Sequence, residues 1–268
     1  MKVLLFAGTH PRHLFFHKAI VNSGVDYFAI VMERENLIPI TPKNILETDK
    51  KNYLRHFKEK KEIENKNFGN LKIKDVFNEN RILTVDSLNL NSDLVKDKVK
   101  KFKADIAIIF GVNLIKEPVF SVLPKYKINL HLGLSPWYRG SATLFWPFYF
   151  LKPQFAGLTL HNISNSPDSG DIFHQSTPNL KKGDGIHNVG SNVVLKGSKE
   201  IVQMLDKFNK EKKLDFQSQK TTGRLWLGKD FKPNHLRVIY DLFDNKIVDE
   251  YLSGNLDKDL PNLINGLS

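Results

Sequence analysis

Asn129 and His131 lie two residues apart in the run INLHLGLSPWYRG, residues 128–140. On an extended chain that spacing sends both side chains to one face. Gly133, Ser135, Pro136, Arg139 and Gly140 then turn the run into a loop. The next segment, GLTLHNISNSPDSGDI, ends in a loop of Ser, Asn, Pro and Gly that carries Asp168. Alone, His131 reads as a structural histidine satisfied by backbone. A carboxylate just beyond the neighbouring strand changes that reading. An imidazole can move protons to or from an attacking amine, and an amide can donate to a developing oxyanion. A carboxylate can fix the imidazole tautomer and raise its pKa. Asn129, His131 and Asp168 therefore form a candidate acyl-transfer set that needs no protein nucleophile.

Other chemistries find less support. There is no G-x-S-x-G elbow, and Ser135 precedes a proline in an ordinary turn. GTHPRH after the first apolar run lacks dinucleotide-binding spacing, and no P-loop is present. Cysteine is absent, which removes disulfides, thiolate zinc sites and a cysteine nucleophile. His10, His13 and His17 fall near helical spacing without a nearby carboxylate, so a substrate-facing or exposed cluster is expected and no metal. His161 shares a strand face with Thr159, open to a supporting role or to simple packing.

The elements that must position these residues alternate. Residues 3–7 read as a strand ended by Gly8, and 11–22 as a helix with Leu14, Phe15, Ala19 and Ile20 on its buried side. Residues 27–32 form a second strand. Between 43 and 74 lie ten basic and five acidic residues, read as a solvated helical excursion with salt-bridging faces. A strand at 82–85, a helix at 92–102 and a strand at 105–110, apolar on both faces, follow. The opening stretch gives the next strand, 142–151 a helix or helical turn, 158–163 and 172–175 strands, and 185–208 a long amphipathic helix. This alternation predicts an α/β fold with a mostly parallel sheet and a site at the carboxyl ends of the strands. The polar stretch 209–222 marks a boundary. Beyond it, a short strand or hairpin and a helix near Pro233 are expected. The remainder is too short for its own core and should dock on the main domain or a second subunit.

The balance of 268 residues, 41% apolar and 26% charged, is that of a soluble globular protein. MKVLLFAGTH is too short an apolar run for a signal peptide, and 144–151 is far short of a membrane span. A cytoplasmic protein with no membrane partner is expected. The net charge of +11 suits an anionic partner, yet only seven of the 40 basic residues are Arg. Nucleic-acid interfaces lean on Arg, so nucleic acid is not the expected partner.

The order N-L-H, S-P-W-Y-R-G, G-L-T-L-H-N-I, D-S-G-D-I resembles the 10-formyltetrahydrofolate-dependent formyltransferases, among them the methionyl-tRNA, glycinamide ribonucleotide and sugar enzymes. The match is strongest over 105–175. The resemblance implies a Rossmann-like formyltransferase fold over 1–208 and a short C-terminal extension, 209–268, for docking or dimerisation. It places Asn129, His131 and Asp168 on the catalytic set and His161 behind the aspartate loop. Phe110, Gly111, Val112 and Asn113, with Leu134, Ser135 and Pro136, would line the folate pocket together with Ser169, Gly170 and Asp171. Tyr138, Arg139 and Gly140 would border the acceptor, with His10 and Arg12 as further acceptor contacts. One departure is the loop Gly133-Leu134-Ser135-Pro136, where the family commonly reads S-L-L-P. Which group is the formal base stays open.

The implied activity is formyl transfer from 10-formyltetrahydrofolate, without metal, to a nucleotide-linked amino sugar, by a homodimer. The tail looks too short for the C-terminal barrel of the methionyl-tRNA enzyme. The alternatives are formylation of methionyl-tRNA or another small amine, hydrolysis of formyltetrahydrofolate, and a catalytically silent folate- or nucleotide-binding protein.

Overall fold

Two apolar strands with no polar face sit at the centre of the molecule. The structure is a computed structural model that describes residues 1–34, 41–219 and 223–268. β1 (Lys2–Gly8) is followed by α1 (Pro11–Asn22), β2 (Asp26–Met32), α2 (Glu47–Phe68), β3 (Ile82–Val85), α3 (Asp93–Phe102) and β4 (Ile106–Phe110). β1 and β4 are buried on both sides because helices cover both faces of the sheet. Val3, Leu5 and Ala7 pack with α1 and the long helix α5 (Ile186–Glu211), whereas Leu4 and Phe6 pack with Val95 and Val99 of α3. Each fully buried Leu or Phe contributes about 1.5–3 kcal/mol.

The chain between β4 and α5 adds β5 (Tyr126–His131), β6 (Tyr138–Gly140), α4 (Trp146–Tyr149), β7 (Leu158–Asn162) and β8 (Ile172–Ser176). The sheet order is β3-β2-β1-β4-β5-β7-β8. The first five strands are parallel, and β7 and β8 are antiparallel to their neighbours. The sheet is thus mostly parallel, as its alternation predicts. After α5 come β9 (Arg224–Trp226) and α6 (Ile247–Leu252). β9 pairs in parallel with β6, so no local hairpin forms there. Trp226 stacks on Trp146 at 4.0 Å, and Ile239, Tyr240, Ile247 and Val248 join α2 and α4 in a third apolar cluster. No described helix is long and apolar enough to cross a membrane.

Several local expectations are corrected. The buried side of α1 carries His13, Leu14, Phe16, His17 and Ile20, while Phe15 and Ala19 are only half-buried, because α5 lies over the former stripe. α2 is not a solvated excursion: it packs on α5 and buries Asn52, Tyr53, His56, Glu64 and Phe68. Near Pro233 there is only a short 3₁₀ turn, followed by a π-helical turn over Val238–Leu242. The polar stretch 209–222 begins inside α5, and its last three residues lie outside the described residues.

Candidate active site

β5 ends with Asn129 and His131 on one face, as their spacing predicts. Its neighbour β7 runs antiparallel, with Asn129 opposite His161 and His131 opposite Thr159. A strand in that direction carries the chain away from the carboxyl end of β5. The loop after β7 therefore has to fold back, and it does so through Asp168, whose φ of +47° is left-handed. Asp168 Oδ2 accepts from the Gly140 backbone N–H at 2.9 Å and lies 3.4 Å from His131 Nδ1. Its Oδ1 lies 3.5 Å from His161 Nε2.

The tautomers follow from the carbonyls. His131 Nε2 donates to Tyr138 O at 2.9 Å, leaving Nδ1 to face Asp168. His161 Nδ1 donates to Asn162 O at 3.0 Å, so its Nε2 accepts from Asn129 Nδ2 at 3.1 Å. That bond orients the Asn129 amide and leaves its second N–H for another acceptor. Burial pushes the His131 imidazole below its ordinary value, opposed by the Asp168 carboxylate and the Tyr138 carbonyl. Burial also raises Asp168, but the His131 imidazole and the Gly140 N–H outweigh it and hold the carboxyl well below the usual range. The carboxylate is ionised at neutral pH and polarises the imidazole.

Two cavities meet at this set. Both are lined by Asn129, Asp168, Gly140, Val112 and Ser141. The smaller, about 330 Å³, is walled by Asn113, Leu114 and Ile115 after β4 and by Ile163, Ser166 and Pro167 of the folded-back loop. The larger, about 570 Å³, also takes in His131 and is walled by Arg12 and His13 of α1, Arg34 after β2, and side chains of α2 and α5. From α2 come His56, Lys60 and Glu64, spaced by four on one face. From α5 come His187 and Ser191.

The larger cavity is charged and pre-organised. Arg12 Nη1 pairs with Glu64 Oε1 at 3.2 Å, and Arg34 Nη1 donates to Gly111 O at 2.7 Å. Burial and the neighbouring Arg12 push Lys60 down to about 8, against the pull of Glu64. Burial and Arg12 also lower Arg34. His187 is pushed down to about 3, by burial first and by Lys60 next, so it is neutral at physiological pH. Three cations share this space with two carboxylates, Glu64 and Asp168, and Glu64 Oε2 is buried with no hydrogen-bond partner.

The structure unites Asn129, His131, Asp168 and His161, and it places Phe110, Gly111, Val112, Asn113, Arg12 and Gly140 on the cavity walls. Other expected site residues fall elsewhere. Leu134 and Ser135 are fully buried beneath the site, with Ser135 N donating to Thr159 Oγ1 and Ser135 O accepting from Gln175. Leu134, Ser135 and Pro136 therefore line neither cavity, since the turn packs inward on β7 and β8. Ser169, Gly170 and Asp171 brace the loop instead of lining it: Ser169 Oγ bonds Ser164 and Ser166, Gly170 packs against Asn162 O, and Asp171 O accepts from Asn162 N. Tyr138 is buried and contributes its carbonyl, and neither it nor Arg139 reaches a cavity wall. His10 stacks on His13 at 5.2 Å, and His13 is the one that lines the larger cavity. Arg34, His56, Lys60, Glu64 and His187 are additions. The spacing 56, 60, 64 was the available signal, but a face of that composition normally points to solvent.

Among the described residues, no group of three or more His, Cys, Asp or Glu is arranged to hold a metal ion. Comparison with known proteins fits the geometry. A methionyl-tRNA formyltransferase from Borrelia turicatae is 31% identical over 144 residues, covering 52% of this chain and 46% of that protein. One from Sulfurihydrogenibium is 26% identical over 121 residues, covering 45% and 39%. The chain thus spans less than half the length of these curated relatives. Among solved structures, a sugar N-formyltransferase from Shewanella superposes with a TM-score of 0.58 at 13% identity, over 89% of this chain and 87% of that one. A formyltransferase from Anoxybacillus kamchatkensis, solved with UDP-4,6-dideoxy-4-formamido-L-AltNAc and tetrahydrofolate, gives 0.52 at 15% identity, over 92% and 96%. These structures share the fold. The sequence profile of the formyl transferase family matches residues 45–205, well over half of the chain, and the protein belongs to that family.

Proposed function

We propose that this protein transfers a formyl group from 10-formyltetrahydrofolate to the amine of a nucleotide-linked amino sugar. The observation that carries the reading is the junction of two separate cavities at Asn129, His131 and Asp168. The smaller cavity, walled by short loops, suits the bicyclic head of the folate. The larger is too roomy for water alone, which favours transfer over hydrolysis, and Arg12, Arg34 and Lys60 suit a diphosphate.

In the transfer, the neutral amine nitrogen bonds to the formyl carbon while the carbon–N10 bond of the folate breaks. Asn129, with one N–H committed to His161, offers the other to the developing oxyanion. His131 offers Nδ1–H when protonated. Asp168, ionised and 3.4 Å from that nitrogen, stabilises the imidazolium and receives the amine proton, which ends on N10 of the released tetrahydrofolate.

The sequence relatives favour a second reading, formylation of methionyl-tRNA. Incubation with 10-formyltetrahydrofolate and separate acceptors decides between them: nucleoside-diphosphate amino sugars, charged initiator tRNA, and none. Tetrahydrofolate release with an amino sugar, accompanied by a formamido product in mass spectrometry, is expected. Release only with the tRNA, or equally without acceptor, would overturn the reading.

A further inference from the structure

Asp168 holds a left-handed backbone that a non-glycine residue keeps only when its surroundings fix it. The hydrogen bonds inside its loop, among Ser164, Ser166 and Ser169, do not reach the Asp168 carbonyl, so that fixing is sought outside the loop. The side chain of Gln219 supplies it. Gln219 Nε2 donates to Asp168 O at 3.0 Å and to Gly170 O at 2.7 Å, tying both sides of the bend with one amide. Two residues earlier, Gln217 exchanges both backbone hydrogen bonds with Ile172, each 2.8 Å, which pins the segment beside β8. Just after Gln219 in the sequence, β9 pairs with β6 and sets Gly140, whose N–H holds the Asp168 carboxylate. A Cβ on Gly140 would stand 2.1 Å from Trp226 O, so the two strands approach at a distance only glycine permits. The tie to the Asp168 carbonyl thus comes from the chain after α5, and the tie to its carboxylate comes from Gly140 of β6, which β9 holds in place.

We propose that Gln219 is a positioning residue for Asp168, and that the segment after α5 completes the catalytic site in addition to docking on the domain. This rests on the catalytic reading of Asp168 above. Two carbonyl oxygens face the Gln219 amide, so the position requires a donor. Glu at 219 would match its shape and present the wrong charge, whereas Lys would restore a donor of similar reach.

The test uses the full chain with Q219A, Q219E and Q219K, and has two readouts. The first is the titration of His131 followed by NMR. His131 faces Asp168, His161 and, more remotely, Arg139. Asp168 raises its pKa, so a loosened Asp168 lets it fall; D168N marks the full extent of that fall. Q219A is expected to move His131 part of the way, whereas Q219E and Q219K, whose own charges also act on the imidazole, are compared on turnover, which Q219K is expected to recover. The second readout is turnover with the acceptor that the wild type uses. A loss of about tenfold in kcat is expected for Q219A and Q219E, with acceptor KM within about twofold and an unchanged Tm. An unmoved His131 titration, or Glu serving as well as Gln, overturns the inference. If the wild type turns over no acceptor, the formyl-transfer reading fails, while the titration still decides the tie between Gln219 and Asp168.

Discussion

The smaller cavity is walled by the turn after β4 and the folded-back loop, with Asp168 and His161 as its acidic and basic side chains among the described residues. The larger cavity, on the other side of Asp168, is walled by helices that project Arg12, Lys60, Glu64, His56 and His187. A wall of backbone and short side chains recognises shape and hydrogen-bonding edges. A wall of long ionisable side chains recognises charge and can be changed one residue at a time without disturbing the sheet. Under the proposed function, acceptor choice falls to α1, α2 and α5, and co-substrate binding to the loops of β4 and β7.

Changes at the junction should disable both sides together. His131→Ala and Asp168→Ala are expected to lower kcat about 10³-fold while leaving the fold intact, because each removes proton handling or charge stabilisation. Steady-state kinetics with circular dichroism as a control checks this, and near-normal turnover in either variant would refute the assigned roles. Next in size, Lys60→Ala should raise acceptor KM about tenfold and leave folate KM alone, as loss of one charge-assisted bond implies. Lys60 is pushed down to about 8, so it is charged below that pH and neutral above it. An anionic acceptor should therefore show a fall in kcat/KM above about pH 8 that Lys60→Arg abolishes. An unchanged alkaline limb in that variant would exclude Lys60 as its source. The smallest effect belongs to the other side. Leu114→Ala, trimming a 42% exposed wall residue, should raise folate KM about threefold with no change for the acceptor. Equal shifts in both constants would erase the distinction between the two walls.

Sequence reasoning reached the junction and stopped at the larger wall for physical reasons. Asn129 and His131 were legible because a strand repeats every two residues. Asp168 was legible because a loop rich in Ser, Asn, Pro and Gly follows the next strand. The direction of β7 was not, since its apolar pattern is the same whether the strand runs parallel or antiparallel. Lys60 and Glu64 were read as solvated because their segment has the composition of a surface helix; only the docking of α2 on α5 turns that face inward. Leu134, Ser135 and Pro136 carry the look of a binding loop, yet the hydrogen bonds of Ser135 to Thr159 and Gln175 hold the turn against β7 and β8.

The His131 ring has one nitrogen occupied by the Tyr138 carbonyl, and a Cβ on Gly133 would stand only 2.6 Å from that same atom. The ring is therefore hemmed in on that side and presents one working nitrogen. It cannot act as a relay that takes a proton on one edge and hands it from the other into the interior. Any proton exchange by this ring is confined to the 3.4 Å gap shared with Asp168.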